Sequence, residues 1–219
     1  MIRSAILLLL VAGVASCHKK EPEPVTRLIP AEMKAYWNFK VGTWWAYQDS
    51  VTGAIDTVKV MEYSNNQFDG TLSHSGDPAR CESLRILTYN TGDQYYNDYL
   101  INTAYSTPEG LDYNVVFRTK YGGPNGGSEG ANKCFVYPFE QSFITYDAYD
   151  FQHVDSCRYK ASYDSMWGFY DVVQMNENYN TVDGDQHTRT FWAKNVGIIK
   201  QMFVDSAVTK TLVDYHIEP

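Results

Sequence analysis

The sequence predicts a mainly β protein: a barrel, half-barrel or sandwich of antiparallel strands, with one short helix near its N-terminus. Three observations predict it. Short segments of alternating polarity recur along the chain, separated by turn-forming residues. Aromatic residues make up 15% of the chain, with 18 tyrosines, and such residues favour strands. Helical periodicity is confined to one stretch before residue 40.

Taken in order, the chain opens with Arg3 and an apolar run from Ile6 to Val14. That run is far shorter than the roughly 20 apolar residues a spanning helix needs. It fits the hydrophobic segment of a secretory signal peptide. Val14-Ala15-Ser16 then leads directly into Cys17. This resembles the lipobox of bacterial lipoproteins, which implies cleavage before Cys17 and attachment of palmitate-type acyl chains there. Residues 1–16 are then the signal peptide, and residues 17–29 the lipidated N-terminus and tether. His18 to Thr26 has the charged, Glu-Pro-rich composition of a flexible linker. Because His18 follows the cysteine and no Asp does, the resemblance implies the outer membrane. Lys19-Lys20-Glu21 and Glu23 loosely resemble a surface-export tag, and the periplasmic and cell-surface faces both stay open.

Residues 30–219 read as a single β domain. Pro30 to Trp37 is the short helix, with proline in its first turn and Met33, Tyr36 and Trp37 on one side. Trp44 to Asp49 and Ile55 to Tyr63 flank a turn at Thr52-Gly53. Asp69-Gly70 and Asp183-Gly184 are hairpin dipeptides. Arg85 to Tyr89 and Gln94 to Ile101 flank a turn at Asn90 to Asp93. Tyr113 to Tyr121 alternates as a half-buried strand, with Val115, Phe117, Thr119 and Tyr121 on one face and Arg118 and Lys120 on the other. A glycine-dense loop covers Gly122 to Gly130. Further strands are expected over Lys133 to Tyr137, Gln141 to Phe151, His153 to Tyr163, Gly168 to Tyr179, Thr188 to Lys194, Ile198 to Asp205 and Val208 to Ile217.

Removing the leader leaves 203 residues, enough for one domain with a full core. Arg3 is the only charge lost, so the net charge of −8 becomes −9. An acidic chain without a basic cluster argues against nucleic acid as a partner. Cys81, Cys134 and Cys157 lie beyond Cys17. An exported compartment permits disulfides. Cys134–Cys157 is the favoured pair because both fall in neighbouring strand-like segments, and Cys81–Cys134 is a close alternative.

Candidate chemistry is sparse. Gly126 to Gly130 satisfies G-x-S-x-G around Ser128, but no strand–turn–helix context holds a nucleophile elbow there. Asp183, Asp185 and His187 share one face of an extended strand, yet Asp183-Gly184 reads better as a turn. No metal site, cofactor or catalytic residue is assigned, and the chain reads as non-enzymatic. The aromatic excess leaves Trp44, Trp45, Tyr95 and Tyr96 as possible ligand-facing rings. Within each adjacent pair the rings point to opposite faces, so one of each turns outward.

Two stretches carry a further resemblance. AYWNFKVGTWWAYQDS, with Val41, Gly42, Trp45 and Tyr47, resembles the opening of small Bacteroidota outer-membrane lipoproteins. TFWAKNVGIIKQMFVD, with Ala193, Val196, Gly197, Ile199 and Lys200, resembles their closing hairpin. The resemblance implies a strongly curved antiparallel sheet of the lipoprotein-carrier type and no particular activity. The expected role is a lipid-anchored binding or assembly module of the envelope. Its expected partners are the membrane, an envelope complex, or a small hydrophobic or glycan ligand. A carrier of a hydrophobic ligand and a glycan-binding accessory protein are the alternatives.

Overall fold

In the computed structural model, the described residues are 23–73, 75–104, 115–122, 132–139, 141–146, 152–164, 167–181 and 184–219. Cys17, the G-x-S-x-G loop and Asp183 lie outside them.

The described residues form thirteen strands and one short helix. After β1 (Val25–Arg27) and α1 (Ala31–Lys34) come β2 (Trp44–Asp49), β3 (Ile55–Thr71), β4 (Pro78–Asn90), β5 (Tyr95–Asn102), β6 (Val115–Gly122) and β7 (Asn132–Val136). Then follow β8 (Gln141–Tyr146), β9 (Gln152–Tyr163), β10 (Phe169–Thr181), β11 (Gly184–Ala193), β12 (Gly197–Phe203) and β13 (Val208–His216). The path across the sheet is β7-β6-β5-β4-β3-β2-β13-β12-β11-β10-β9-β8, and each pairing along it is antiparallel. The end strands β7 and β8 approach each other, so the sheet is a nearly closed barrel. The Cys157 thiol on β9 donates to the Val136 carbonyl on β7 at 3.4 Å, which ties the two ends of the path together.

Near closure follows from the pattern of the strands. An antiparallel sheet with one apolar face must cover that face, and curling the sheet on itself does so. Leu84, Ile86, Ile101, Val173 and Met175 supply the inner face and are all buried. α1 closes one end of the barrel. Met33, Tyr36 and Trp37 are buried there, as their shared side predicts. The Trp37 ring lies 4.3 Å from Trp192, 5.0 Å from Tyr99 and 5.5 Å from Phe135, centroid to centroid. The Tyr36 hydroxyl donates to the Asp171 carbonyl at 2.9 Å, and Asn195 N–H donates to the Ala35 carbonyl at 2.6 Å. These bonds fasten the plug to β10 and to the β11–β12 turn.

Gly42 and Gly197 flank this end with φ of +108° and +97°. A Cβ on Gly197 would sit 3.2 Å from the Trp45 indole. That indole donates to the neighbouring Val196 carbonyl at 2.5 Å. The two motifs at the ends of the chain therefore meet in space.

The strap that precedes α1 is more ordered than a tether extending to residue 29 implies. β1 runs parallel to Ala79–Cys81 of β4. The Thr103 hydroxyl donates to the Arg27 carbonyl at 2.7 Å. Glu82, only 2% exposed, accepts Ile29 N–H at 3.0 Å and pairs with the Lys34 ammonium at 2.5 Å. Asp69-Gly70 is not the turn expected of it: β3 continues to Thr71, which pairs with Pro78 at the start of β4. The long β3–β4 arm and β1 therefore project past the plugged end, with Leu72, Ala79 and Cys81 as a small core of their own.

The disulfide expected between Cys134 and Cys157 is not formed. Cys81, Cys134 and Cys157 are all buried thiols in this structure. Cys81 sits in the arm's own cluster, away from the other two.

Candidate functional site

Two places gather polar and aromatic side chains beyond what the core needs: the barrel interior above the plug, and one row on its outer face. Alternation along β5 turns Tyr95, Asn97, Tyr99 and Ile101 inward and Tyr96, Asp98 and Leu100 outward, since Tyr99 and Ile101 belong to the core.

Inside, the wall changes from apolar to polar on moving away from α1. On β10 the inward run Val173, Met175, Glu177 ends in a carboxylate that is 3% exposed. Arg118 on β6 faces it, with a guanidinium nitrogen 3.8 Å from a Glu177 oxygen. β6 and β10 are not neighbours in the sheet, so this ion pair spans the interior. Asn97, Thr88 and Thr190 are buried at the same level. Burial pushes the Tyr99 phenol far above its usual pKa; Arg118 opposes that shift, and Cys134, Tyr95 and Glu177 add to it. Lys120 also faces inward, its ammonium 4.6 Å from the centre of the Tyr95 ring. The sequence reading had placed Arg118 and Lys120 opposite the apolar face of β6. The structure turns that polar face toward the barrel interior, because β6 pairs with β5 in a register that sets Arg118 opposite Tyr99 and Lys120 opposite Asn97, on the same side as the buried Val116.

The floor of this region is the ring cluster on the plug. Trp37 and Trp192 are 2% and 5% exposed, and among the described residues no acceptor reaches either indole N–H. Buried donors are nearly always satisfied in folded proteins. At the rim farthest from the plug, Lys210 binds Asp56 at 2.9 Å and Asp93 at 3.0 Å. Burial alone would lower the Lys210 pKa, but these two hydrogen-bonded carboxylates raise it.

Outside, strand register builds an aromatic row. Trp44 pairs with Lys59, Lys59 with Tyr89, Tyr89 with Tyr96, and Tyr96 with Tyr121. The Tyr89 and Tyr96 rings are 4.8 Å apart, and Tyr96 stacks on Tyr121 at 5.5 Å and 14°. Beside the row, Arg85 grips Asp98 with two nitrogens, at 2.9 and 2.8 Å, and reaches Glu62 at 3.1 Å. The Asp98 hydrogen bonds raise the Arg85 pKa. The Tyr121 phenol is also raised, first by burial and then by Asp98.

The four candidate rings thus divide as their adjacency predicts. Trp44 and Tyr96 stand on the outer row, Trp45 is a buried structural ring, and Tyr95 lies at the inner wall. His187, proposed beside Asp183 and Asp185, is instead held by Asp205, with Nδ1 3.0 Å from a carboxylate oxygen. The side chain of Asp185 lies outside the described residues. Sequence reasoning missed the Arg118–Glu177 pair and the Arg85–Asp98–Glu62 cluster. The readable signal for the first was the period-two run Val173, Met175, Glu177, which carries an acid onto an apolar face.

Comparison with protein-family models, with curated proteins and with solved structures found no match to this chain.

Proposed function

We propose that the chain is a lipid-anchored lipoprotein of the bacterial outer membrane, held through acylated Cys17, and that it serves as a non-enzymatic binding module. The observation that carries this reading is the polarity of the barrel along its axis. The strap enters β1 at the plugged end and runs parallel to the start of β4, so the chain toward Cys17 leaves from that end. The inward-facing Tyr95, Arg118 and Lys120 lie toward the opposite end and stay partly exposed. A barrel hung from its closed end turns its polar interior away from the lipid.

The packing weighs against a carrier of an apolar ligand. Trp37, Tyr99, Phe135 and Trp192 fill the apolar part of the interior with one another, and the rest carries ionised side chains. The outer row of Trp44, Tyr89, Tyr96 and Tyr121 favours a second reading, a glycan-binding accessory role, because aromatic rings beside hydrogen-bonding side chains suit sugar hydroxyls and ring faces.

Radiolabelled palmitate tests the anchor. The label is expected on the wild-type chain and in its outer-membrane fraction, and is expected to vanish in Cys17→Ser. An unlabelled wild type, or a Cys17→Ser chain that fractionates unchanged, would overturn the reading.

A further inference from the structure

We propose that the outer face of β9–β12 binds an acidic polysaccharide, a chain of sugars that carry carboxylates at intervals. This names the partner class of the anchored binding module and rests on that reading.

Strand register builds the face. Val173, Met175 and Glu177 of β10 point inward, so Val172, Gln174 and Asn176 point outward. Residues directly opposite each other on neighbouring strands share a face. Gln174 lies between Arg158 of β9 and Phe191 of β11, and Phe191 pairs with Lys200 of β12. Asn176 lies between Ser156 and Arg189, and Val172 pairs with Lys160. Arg158, Lys160, Arg189 and Lys200 therefore stand together on the outside of the barrel. Side-chain contacts agree with that placement. The Asn176 amide donates to the Ser156 hydroxyl at 2.8 Å, the Gln174 amide donates to the Asn176 side-chain oxygen at 2.6 Å, and the Lys160 ammonium lies 5.7 Å from the centre of the Phe191 ring.

The charges of this face have no internal answer. Among the described residues, none of the four cations has a carboxylate partner, whereas Lys34, Arg85, Arg118, Lys194 and Lys210 each meet one. The next outward position on β11, His187, is held by Asp205, so that carboxylate is already engaged. Arg158, Lys160 and Arg189 are exposed and Lys200 is half-buried. On a chain of net charge −8, the face is a local reversal of sign. Its like charges repel one another, and an anionic partner relieves that repulsion.

The spacing selects the kind of anion. Arg158 and Lys160 are two residues apart, roughly 7 Å, and Arg158 and Lys200 are three strands apart, roughly 14 Å. Between them lie the neutral hydrogen-bonding groups of Gln174, Asn176 and Ser156. Duplex nucleic acid carries a charge every ~1.7 Å of its axis. An extended polyglutamate carries one about every 3.4 Å of chain. Either would press most of its charges against a protein of the same sign. A uronic-acid glycan separates its carboxylates with hydroxyls, which suit the amides between the cations. A bilayer surface does not reach this face, because a barrel hung from its plugged end turns its side away from the lipid.

Titration calorimetry of the full-length protein in neutral-detergent micelles tests this. The titrants are a galacturonic-acid oligosaccharide, its carboxyl-reduced counterpart, polyglutamate, a single-stranded oligonucleotide and short-chain phosphatidylglycerol. The galacturonic-acid oligosaccharide is expected to bind, to weaken as salt is raised, and to bind at least tenfold more tightly than its reduced counterpart. Arg158→Gln/Arg189→Gln is expected to lower its affinity about tenfold or more, because each change removes a charge-assisted hydrogen bond. Either single variant is expected to lower it at least threefold, should the double variant fail to fold. Lys59→Gln, on the outer row of Trp44 and Tyr89, is expected to leave it unchanged. The inference is overturned if the galacturonic-acid oligosaccharide does not bind, if the reduced form binds as tightly, or if the arginine variants bind like wild type. Tighter binding of polyglutamate, the oligonucleotide or phosphatidylglycerol overturns it as well. Palmitate incorporation at Cys17 is scored separately. Absent glycan binding with intact acylation removes this inference alone, and absent acylation removes the anchoring reading.

Discussion

Glu82 holds the strap to the barrel, so Glu82→Ala should unfasten it at a cost that can be worked out from its contacts. The carboxylate is 2% exposed, accepts Ile29 N–H at 3.0 Å and binds the Lys34 ammonium at 2.5 Å. A hydrogen bond to a charged group contributes about 1.5–3 kcal/mol. Removing one member of a buried ion pair costs about 3–5 kcal/mol. These figures overlap, because the same oxygens serve both contacts. The Lys34 side chain is 28% exposed and can rehydrate, which places the loss near the lower bound. The expected total is about 3 kcal/mol, or a melting temperature lowered by roughly 6–12 °C for a domain of this size. Glu82→Gln keeps an acceptor for Ile29 and should lose about half as much. Urea unfolding measures the loss, and limited proteolysis reports whether residues 23–29 become cleavable before the barrel does. An alanine variant within about 1 kcal/mol of wild type, with the strap still protected, would refute the argument that this buried carboxylate fastens it.

Other outcomes follow from the same geometry. A Cβ on Gly92 would fall 1.8 Å from an Asp56 oxygen, so Gly92→Ala should displace Asp56 from Lys210 and cost about 1–3 kcal/mol in urea unfolding. Cys81, Cys134 and Cys157 should be silent to a thiol reagent in the native protein and should all react on unfolding without reductant. A disulfide would leave only one of them reactive. Asp49 accepts the backbone N–H groups of Thr52 and Val51, and Asp205 is held by His187; both carboxyls are thereby lowered below 3.8. A lowered carboxyl contributes stability above its unfolded pKa and loses it as the pH falls through the folded value. The joint variant Asp49→Ala/Asp205→Ala should therefore show a shallower loss of stability below about pH 4 than wild type, with the difference saturating in more acid solution.

The sheet was legible in the sequence because alternation is local. Strand segments such as Val208 to Ile217 and Ile198 to Asp205 coincide with β13 and β12 to within a few residues. The helix was legible from the shared side of Met33, Tyr36 and Trp37, although its regular part is only Ala31–Lys34. β1 was not, since three residues carry no period and their partner, β4, lies more than fifty residues away. Asp69-Gly70 misled because a turn dipeptide signals only where the flanking strands stop, and here pairing with Arg80 and Ala79 carries β3 through it. The division of Trp44 from Trp45 and of Tyr95 from Tyr96 followed from the pleat alone. The polar interior did not. Arg118 and Glu177 meet only once the sheet has closed, and the register of β6 against β5, with Arg118 opposite Tyr99, decides which face of β6 turns inward.

Energy transfer to a membrane tests the central claim most directly, because it reads the orientation of the anchored barrel. A donor dye is placed on Ser75, at the tip of the β3–β4 arm, or on Val51, in the β2–β3 turn at the opposite end of β3. The 17 residues of β3 separate these sites by roughly 50 Å. On vesicles carrying acceptor-labelled head groups, the lipidated protein is predicted to transfer strongly from Ser75 and weakly from Val51, and Cys17→Ser is predicted to transfer from neither. Stronger transfer from Val51, or equal transfer with and without Cys17, would contradict a barrel hung from its plugged end.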